Sequence, residues 1–526
     1  MTNTHLDRRG FLSLAGATLA LTGAGSFTMR SAQAQSGFSL TVLHINDMHS
    51  RISEISSFNS SCSDDASAEG KCFGGSARLA TAIRDRRASH ESAGRPVLTL
   101  DAGDQSQGTL YYTTYGGKAE IQMMNAIGFD AMGVGNHEFN RGPESLAEMI
   151  AEANFPVVSG NIIVADGSPL VGRIQPRAVI EKDGERIAIL GVTTPDTEFL
   201  SSPGPDVTFQ DEIAFLQTAV ADLQAEGISK ILLLSHVGYN RDQEIAAAVD
   251  GISAIIGGHS HTRMSNTEEG AVAYATLVAS PSGRAVPIVQ AFAFSRYLGE
   301  LQLDFADDGA VVAANGDTVL LDASFAPAED IEALIAPLAE PIERLVRAPV
   351  AELAAPIDGA RENCRARECE MGNTVTDAML AEVGDQGITI ALANGGGLRA
   401  SIGAGTATLG DVLTVLPFQN TLYTLEIPGA ALVAALEHGV NDVENGAGRV
   451  SDVEISTGDI WTPIDPAAMY GLVTNNFMAG GGDGYAMLRE QGVNGYDTAI
   501  DLAEVLARYL SANEPFAPQI DGRILQ

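Results

Sequence analysis

The stretch Gly133-Val-Gly-Asn-His-Glu-Phe-Asn140 decides the fold of this chain. It contains side chains that can bind a metal ion, and three other fragments contain side chains of the same kind. These fragments are Asp47-Met-His49, Asp101-Ala-Gly-Asp104 and Gly258-His259-Ser-His261, with His236 between the last two. Histidine nitrogens together with carboxylate and amide oxygens can bind two divalent cations, which activate water and neutralise phosphoryl oxygens. The sequence therefore predicts a two-metal site suited to the hydrolysis of phosphate esters.

Four apolar segments precede the ligand-type residues: residues 40–45, 97–100, 231–234 and 252–256. Each has the length and composition of a buried strand. Open α/β sheets place their sites at the carboxyl ends of strands, so we expect these fragments to meet at one edge. Asp101 follows the second segment at once. Because a carboxylate has two oxygens, we expect Asp101 to bridge both metals.

The ligand types also narrow the choice of metal. Imidazole nitrogens with carboxylate and amide oxygens, and no thiolate, suit Zn, Mn, Fe or Co better than Ca, and they do not choose among these. A single histidine after a strand is more often a packed core or turn residue. Here five of the nine histidines fall in the ligand-type fragments in one ordered series, which favours metal binding.

The order Asp-x-His, Gly-Asp, Gly-Asn-His-Glu, His, Gly-His-x-His resembles the metallophosphoesterase superfamily. The flanking sequences Leu43-His-Ile-Asn-Asp-Met-His-Ser50 and Leu100-Asp-Ala-Gly-Asp-Gln-Ser-Gln-Gly-Thr109 resemble the 5'-nucleotidase family. Four later segments are similar to the substrate domain of ecto-5'-nucleotidases: Cys364-Arg-Ala-Arg-Glu-Cys369-Glu-Met-Gly-Asn373, Asn394-Gly-Gly-Gly-Leu-Arg399, Leu416-Pro-Phe418 and Asn476-Phe477-Met-Ala-Gly-Gly-Gly-Asp483-Gly-Tyr485.

This resemblance implies a role for each ligand-type residue. One metal would be held by Asp47, His49, Asp101 and His261, and the other by Asp101, Asn136, His236 and His259. His137 would stabilise the transition state. The family usually has Asp where this chain has Asn140, and a neutral amide stabilises an imidazolium less than a carboxylate does. Cyclic-nucleotide phosphodiesterases of the same superfamily resemble the Asn variant locally.

The resemblance also implies a nucleotide-binding set, made of Arg365, Asn394, Arg399, Phe418, Phe477 and Asp483. Guanidinium groups suit a phosphate, and the two phenylalanines would clamp a purine, although a Phe is otherwise more often a core residue. The expected activity is release of phosphate from nucleoside 5'-monophosphates such as AMP, with nucleoside di- and triphosphates or UDP-sugars as further substrates. A 2',3'-cyclic nucleotide phosphodiesterase with 3'-nucleotidase activity and a non-catalytic nucleotide-binding protein are the alternatives.

The chain has 526 residues, enough for more than one core, and we expect an α/β protein with two domains. Residues 35–325 should form a metallophosphoesterase β-sandwich flanked by helices. Residues 326–346 should form a helical linker with proline breaks, and residues 347–526 a second α/β domain that binds the nucleotide. In the family, the second domain rotates to open and close the cleft between them.

The N-terminus has the pattern of an export signal. Asp7-Arg8-Arg9-Gly-Phe11-Leu12 is a twin-arginine motif, a short, weakly apolar segment follows, and Ala32-Gln-Ala34 fits a cleavage site. We therefore expect residues 1–34 to be removed and the mature protein to be periplasmic or secreted by the twin-arginine route. No segment reaches about 20 apolar residues, so a membrane anchor is not expected.

The four cysteines form two close pairs, Cys62 with Cys72 and Cys364 with Cys369. In an oxidising compartment the spacing favours two local disulfides, and the resemblance implies disulfides in both places. A zinc site built from all four is the alternative, although neither pair has the two-residue spacing of a zinc knuckle.

The formal net charge of −36 disfavours polyanionic partners. Duplex DNA, RNA and anionic membranes are therefore poor partners, whereas a mononucleotide is small enough to be bound by local cations. We expect a nucleotide as the ligand, with a homodimer as one oligomeric state open to the chain.

Overall fold

The computed structural model describes residues 37–523 apart from residues 57–58, 60–61, 63, 419 and 445–463. The predicted export signal, residues 1–34, lies outside the described residues. Among those described, no helix combines the length and the apolar character that a bilayer crossing requires.

The N-terminal part alternates strands and helices along the chain. Its strands are β1 (Phe38–Ile45), β2 (Val97–Asp101), β3 (Ala131–Gly133), β4 (Val157–Val158), β5 (Ile162–Val164), β6 (Arg177–Lys182), β7 (Glu185–Thr193), β8 (Val207–Phe209), β9 (Lys230–His236), β10 (Ala254–Gly257), β11 (Thr276–Ala279), β12 (Ala285–Val289), β13 (Tyr297–Phe305) and β14 (Val311–Leu320). Its helices are α1 (Asp64–Ala68), α2 (Ser76–Ser92), α3 (Leu110–Tyr115), α4 (Lys118–Ile127), α5 (Gly142–Ile150), α6 (Thr197–Leu200), α7 (Glu212–Ala225) and α8 (Tyr239–Ala248).

Twelve of these strands form two six-stranded sheets, ordered β14-β13-β1-β2-β3-β4 and β11-β12-β10-β9-β7-β6, and β5 pairs with β8. Strands β1 to β4 are parallel in the first sheet, and β7, β9, β10 and β12 are parallel in the second. Apolar side chains of both sheets, such as Leu40, Leu100, Ile189 and Leu234, form one buried cluster between them. The predicted β-sandwich is confirmed.

Helices cover the outer faces of the sandwich. Side chains of α2, α4 and α5, including Leu79, Ile121 and Leu146, form a cluster on the first sheet. Side chains of α7 and α8, including Leu216 and Ile245, pack on the second sheet. With both faces covered, the central strands are buried and apolar, and polar side chains concentrate in the loops at their ends.

Helix α9 (Glu329–Val346) leads from the sandwich to the C-terminal part. It runs without a break through Pro337 and Pro341, so the expectation of proline breaks was wrong. Its apolar face packs on the N-terminal core, and the Tyr115 hydroxyl donates to the Leu338 carbonyl at 2.9 Å. This packing outweighs the roughly 3 kcal/mol that a proline costs inside a helix.

The C-terminal part is a second α/β unit. Its strands are β15 (Pro349–Leu353), β16 (Ile390–Ala391), β17 (Gly405–Thr408), β18 (Thr421–Pro428), β19 (Met469–Asn475) and β20 (Val493–Asp501), and its helices are α10 (Arg361–Cys364), α11 (Glu370–Val383), α12 (Leu409–Val415), α13 (Gly429–Glu444), α14 (Asn476–Ala479), α15 (Ala486–Gln491) and α16 (Leu502–Ala512). Four strands form a sheet in the order β16-β19-β18-β20. Side chains of α11 and α16 form a separate core against it.

Both cysteine pairs form local disulfides, Cys62 with Cys72 and Cys364 with Cys369. The second bridge joins the end of α10 to the residue before α11, next to the cleft described below. The four-cysteine zinc site is thereby excluded.

Candidate active site

The first group of ligand-type side chains comes from the ends of β1 and β10. Asp47 and His49 follow β1, and His261 follows β10. Nε2 of His261 is 3.2 Å from Oδ1 of Asp47 and 3.1 Å from Nε2 of His49. Nδ1 of His49 donates to the Ser106 carbonyl, so the lone pair on its Nε2 faces the other two side chains. Acceptor atoms that converge in this way fit a metal cation.

The second group comes from the ends of β2, β3, β9 and β10. Nε2 of His236 is 3.0 Å from Oδ2 of Asp104 and 3.2 Å from Oδ1 of Asn136. Nδ1 of His259 is 2.9 Å from the same amide oxygen. Nδ1 of His236 donates to the Ala102 carbonyl at 2.8 Å, which leaves an Nε2 lone pair facing two oxygen acceptors. This group also fits a cation.

Asp104, not Asp101, stands between the two groups. Oδ2 of Asp104 is also 3.8 Å from Nε2 of His49 in the first group. Asp101 is still part of β2, and its carboxylate accepts from Gln105 Nε2 at 2.8 Å and Gly103 N at 3.1 Å, within its own loop. The structure thus corrects the predicted bridging position: β2 extends one residue further, and the chain turns at Gly103 before it presents a carboxylate to the site.

Glu138 is a further site residue that the sequence reasoning missed. Its buried carboxylate accepts from the backbone N–H groups of Asp104 (2.9 Å), Ser106 (2.9 Å) and Gly135 (2.7 Å). Burial and the charge of Asp104 raise the pKa of Glu138, and the hydrogen bonds oppose this in part. Glu138 therefore ties the loop after β2 to the loop after β3. Its place directly after Asn-His in the decisive stretch was the available signal.

The histidines of the two groups differ in their electrostatics. Burial lowers the pKa of His49 to about 3 and that of His259 to about 4, so both imidazoles are neutral at neutral pH. Burial also acts to lower the pKa of His236, but the Asp104 carboxylate outweighs it and raises that pKa to about 10. The position of His236 therefore favours a positive charge beside Asp104, as a proton or as a metal cation.

The ligand loops have an unusual backbone. Five of the ligand-type residues have a left-handed conformation: Asp47 (φ 51°), His49 (φ 48°), Asp104 (φ 57°), His259 (φ 72°) and His261 (φ 48°). Non-glycine residues adopt this conformation at a cost of order 1–3 kcal/mol each, and they concentrate at functional sites. The left-handed backbone turns these side chains away from their strands and into the site.

His137 lies in the short 3-10 helix His137–Phe139 and faces the same cleft as the ligand groups. Its Nδ1 is 3.0 Å from Nδ2 and 3.2 Å from Oδ1 of Asn140. Ser201, directly after α6, donates its hydroxyl to Oδ1 of Asn140 at 2.8 Å. No motif of the sequence pointed to Ser201.

One cleft of about 1020 Å³ joins the ligand groups to the C-terminal part. On its N-terminal side it is lined by His49, Asp104, His137, His259 and His261, among others. On its C-terminal side it is lined by all six residues of the predicted nucleotide-binding set: Arg365, Asn394, Arg399, Phe418, Phe477 and Asp483. Three of the residues expected to hold metal, His49, His259 and His261, thus line the same space as the residues expected to hold a nucleotide.

The two aromatic rings in this cleft are accessible. Phe418 is 39% exposed and Phe477 is 44% exposed, so neither is a core residue. The guanidinium of Arg399 lies 5.5 Å from the ring centroid of Phe418. The ring of Phe477 lies over Gly482, where a Cβ would be only 2.5 Å from ring atoms. Both rings can offer a face to a planar base.

The polar residues of the C-terminal side are held by one another. Asn394 donates to Oδ2 of Asp483 at 2.7 Å and accepts from Asn475 at 3.0 Å. A Cβ at Gly396 would lie 3.3 Å from Asp483 and 3.6 Å from Arg365, so a glycine there keeps the space between these charged groups open. A carboxylate and a guanidinium side by side suit a ligand with both hydroxyl and phosphate groups.

Two family models match the chain. The calcineurin-like phosphoesterase model matches residues 40–263, and the 5'-nucleotidase C-terminal domain model matches residues 348–453 and 441–490. A snake venom 5'-nucleotidase from Gloydius brevicauda is 34% identical, with 96% of this chain and 92% of the relative covered. The chain belongs to the 5'-nucleotidase family.

Other relatives support this family assignment. The 5'-nucleotidase of Homo sapiens is 34% identical, with 93% of this chain and 91% of the relative covered. The crystal structure of a 5'-nucleotidase precursor from Thermus thermophilus superposes with a TM-score of 0.66 at 37% identity, covering 92% of this chain and 99% of that one. The NAD nucleotidase of Haemophilus influenzae gives a TM-score of 0.68 at 27% identity, covering 91% and 97%. This member of the family is a metal-dependent phosphoric monoester hydrolase with an α/β fold in two parts.

Proposed function

We propose that the protein releases phosphate from nucleoside 5'-monophosphates, AMP among them, within the cleft between its two α/β parts. One observation carries the proposal: members of both ligand groups and the six nucleotide-type residues line the same cleft of about 1020 Å³. Such a cleft can hold a nucleotide with its phosphate at the ligand groups and its base at the aromatic rings.

We assign two divalent cations, zinc or manganese or a similar metal, to the two ligand groups. One would be held by Asp47, His49, Asp104 and His261, and the other by Asp104, Asn136, His236 and His259. When bound, they supply Lewis-acid activation of water and charge neutralisation at the phosphoryl group. The protein itself orients these side chains, through the left-handed backbone of the ligand loops and through the hydrogen bonds of Glu138.

The remaining cleft residues would position the substrate. The guanidinium groups of Arg365 and Arg399 would bind phosphate oxygens, and Asp483 would accept from the ribose hydroxyls. Phe418 and Phe477 would stack on the base. His137 would donate a hydrogen bond to the phosphoryl group as negative charge develops there, with Asn140 acting through it.

Asn140 supports a second candidate, a 2',3'-cyclic nucleotide phosphodiesterase with 3'-nucleotidase activity. The carboxylate that the family usually has at this position is an amide here, held by the Ser201 hydroxyl. An altered partner for His137 could suit another phosphate ester, whereas a non-catalytic binder would not need both ligand groups.

We further propose three domain boundaries and an export route. The catalytic domain spans residues 35–325, the α9 region 326–346 joins it to the C-terminal domain of residues 347–526, and residues 1–34 are a twin-arginine signal removed on export to the periplasm or medium. The two disulfides are consistent with an exported protein. Light scattering of the purified protein tests whether it forms a homodimer.

The test is phosphate release from a panel of esters by the metal-loaded protein. The panel contains AMP, ADP, ATP, UDP-glucose, 3'-AMP, 2',3'-cyclic AMP and p-nitrophenyl phosphate. We expect the highest kcat/KM for a 5'-monophosphate. A higher value for the cyclic or 3'-ester would support the second candidate, and no turnover of any ester with Zn or Mn would overturn both.

A further inference from the structure

The loop of residues 480–485 carries Asp483, the residue proposed to accept from the ribose hydroxyls. Among the described residues, those that line the cleft include Asp483 but not His438 of α13, which contacts this loop from behind. We propose that His438 is a positioning residue for Asp483 and thereby sets the preference of the cleft for ribonucleotides over nucleotides that lack the ribose hydroxyls. The proposal rests on the proposed function, because it uses the ribose contact assigned to Asp483 there.

The composition of this loop gives it little intrinsic order. Four of its six residues are glycines: Gly480, Gly481, Gly482 and Gly484. Glycine loses more conformational freedom on folding than any other residue, so such a loop is not fixed by its own sequence. Asp483 itself has a left-handed backbone, with φ 50° and ψ 25°, which is unfavourable for a residue with a side chain. The position of its carboxylate therefore depends on contacts from outside the loop.

One set of contacts holds the carboxylate of Asp483. The Met478 backbone N–H donates to Oδ1 of Asn475 at 2.9 Å. Nδ2 of Asn475 donates to Oδ1 of Asn394 at 3.0 Å, and Nδ2 of Asn394 donates to Oδ2 of Asp483 at 2.7 Å. Since a backbone N–H only donates and a carboxylate only accepts, every direction in this series is determined. The series leaves Oδ1 of Asp483 as the oxygen available to a ligand in the cleft.

His438 holds the backbone of Asp483. Its Nε2 is 2.9 Å from the Asp483 carbonyl oxygen, and because a carbonyl only accepts, this nitrogen donates. The imidazole meets the ring of Tyr485 edge-on, with 4.8 Å between centroids and 89° between planes, and Tyr485 is fully buried. A Cβ at Gly484 would lie 2.8 Å from Nε2 of His438, so the glycine there lets the imidazole approach the carbonyl. The buried core of the C-terminal part thus fixes the donor that holds the loop.

Asp483 is therefore held at two points, its carboxylate by Asn394 and its backbone by His438. Loss of the His438 hydrogen bond would leave the carboxylate with Asn394 but free the glycine-rich backbone behind it. Oδ1 of Asp483 would then spend less time where the ribose hydroxyls lie. The reacting phosphate would be held at the ligand groups of the N-terminal part, so the loss would fall on ribose binding and not on the chemical step.

The kinetic test compares two substitutions of His438 in zinc-loaded protein. His438→Phe keeps an aromatic ring beside Tyr485 and removes the donor, whereas His438→Gln keeps an N–H donor near the place of Nε2. We expect His438→Phe to raise KM for AMP about 3- to 10-fold, the effect of one modest hydrogen bond, with kcat changed less than about 2-fold. His438→Gln should recover most of the loss.

The same variants are measured on 2',3'-dideoxy-AMP, which keeps the base and the 5'-phosphate but lacks both ribose hydroxyls. Its KM should change less than about 2-fold in His438→Phe, because it has no hydroxyl for Asp483 to accept from. In an Asp483→Ala background there is no carboxylate to position, so adding His438→Phe should change KM for AMP less than about 2-fold.

Three kinetic outcomes would overturn the proposal. The first is an unchanged KM for AMP in folded His438→Phe. The others are equal losses on AMP and on the dideoxy ester, and equal losses with and without the Asp483 carboxylate, since each would show that His438 only stabilises the C-terminal part. Thermal unfolding identifies a variant that does not fold. In that case His438→Asn replaces His438→Phe, because its amide is too short to reach the Asp483 carbonyl.

A second measurement does not depend on activity. Amide hydrogen exchange of the zinc-loaded protein without nucleotide, followed by mass spectrometry, reports the order of residues 480–485. Peptides that cover this loop should exchange faster in His438→Phe than in the wild type or in His438→Gln, while peptides of the β-sandwich exchange alike. Equal exchange of the loop in His438→Phe and in the wild type would overturn the proposal. Faster exchange in His438→Phe, with no hydrolysis of AMP by the wild type, would support the positioning of Asp483 and contradict the proposed function instead.

Discussion

Replacement of Asp104 by Asn should remove metal from both ligand groups, whereas the same change at Asp101 should not. Oδ2 of Asp104 is 3.0 Å from Nε2 of His236 and 3.8 Å from Nε2 of His49, so one carboxylate serves both groups. The amide is nearly isosteric, so the change removes the charge with little change in volume.

The magnitude follows from the position of this carboxylate. Loss of a residue that only supports a metal ligand typically costs 10- to 100-fold in metal affinity. Asp104 is proposed as a direct and shared ligand, so we expect a loss of at least about 100-fold, or about 2.7 kcal/mol, at each site. Turnover of AMP should fall by at least as much, because both cations are needed to neutralise the phosphoryl group.

Asp101→Asn is the matched control from the same loop. Burial raises the pKa of Asp101 well above its ordinary value, so its charge is held less strongly than that of Asp104, whose pKa the histidines lower. Gln105 donates to Oδ1 and the Gly103 N–H donates to Oδ2, so an amide keeps one of these two hydrogen bonds, and neither partner is a ligand-type residue. We therefore expect this variant to keep two metals and most of its activity.

The assay is metal content by elemental analysis after dialysis, followed by titration against a chelator of known affinity. The shared role of Asp104 would be refuted by Asp104→Asn protein that retains two tightly bound metals. Equal metal loss in both variants would show that the loop as a whole, and not the Asp104 oxygen, controls binding.

Two further predictions concern the C-terminal part. Phe418→Ala and Phe477→Ala should each weaken AMP binding by roughly 1–3 kcal/mol, the usual size of base–aromatic stacking, with much less effect on p-nitrophenyl phosphate; equal losses on both esters would show that the rings only pack. Burial raises the pKa of Asp501 from 3.8 to about 6. Since the folded state holds this proton more tightly, its stabilising contribution is full below about pH 4 and is lost as the pH rises through 6. The unfolding free energy of Asp501→Asn relative to wild type should therefore rise by up to about 3 kcal/mol between pH 4 and 7, measured by urea unfolding, and a pH-independent difference would contradict this.

The loops of the site were predictable because they follow strands whose apolar character is plain. The expected segments 97–100 and 231–234 became β2 and β9, and the residues after them reach one edge because the strands are parallel. Asp101 was misplaced because strand ends are uncertain by a residue or two from composition alone. The Gly-Asp pair in the motif order already singled out Asp104, whose glycine allows the turn.

Other features could not be derived from the local sequence. Phenylalanine is more often a core residue than a surface one, so the sequence around Phe418 and Phe477 does not by itself predict that they line a cleft. Only the resemblance to a substrate domain predicted that position. Ser201 reaches Asn140 across 61 residues, a contact that depends on the packing of α6. The prolines of α9 suggested breaks, because the apolar surface on which the helix packs is built by distant residues.

The left-handed ligand loops affect the local stability of the protein when metal is scarce. A cation that pulls several acceptors together offsets both their mutual repulsion and the backbone strain that aims them. Without the cation, the segments after β1, β2 and β10 lose this stabilisation, while the sheets behind them keep their apolar core. Local opening should then begin at this edge, well before global unfolding, and expose it to proteases. Metal supply would thus govern the lifetime of the protein as well as its turnover.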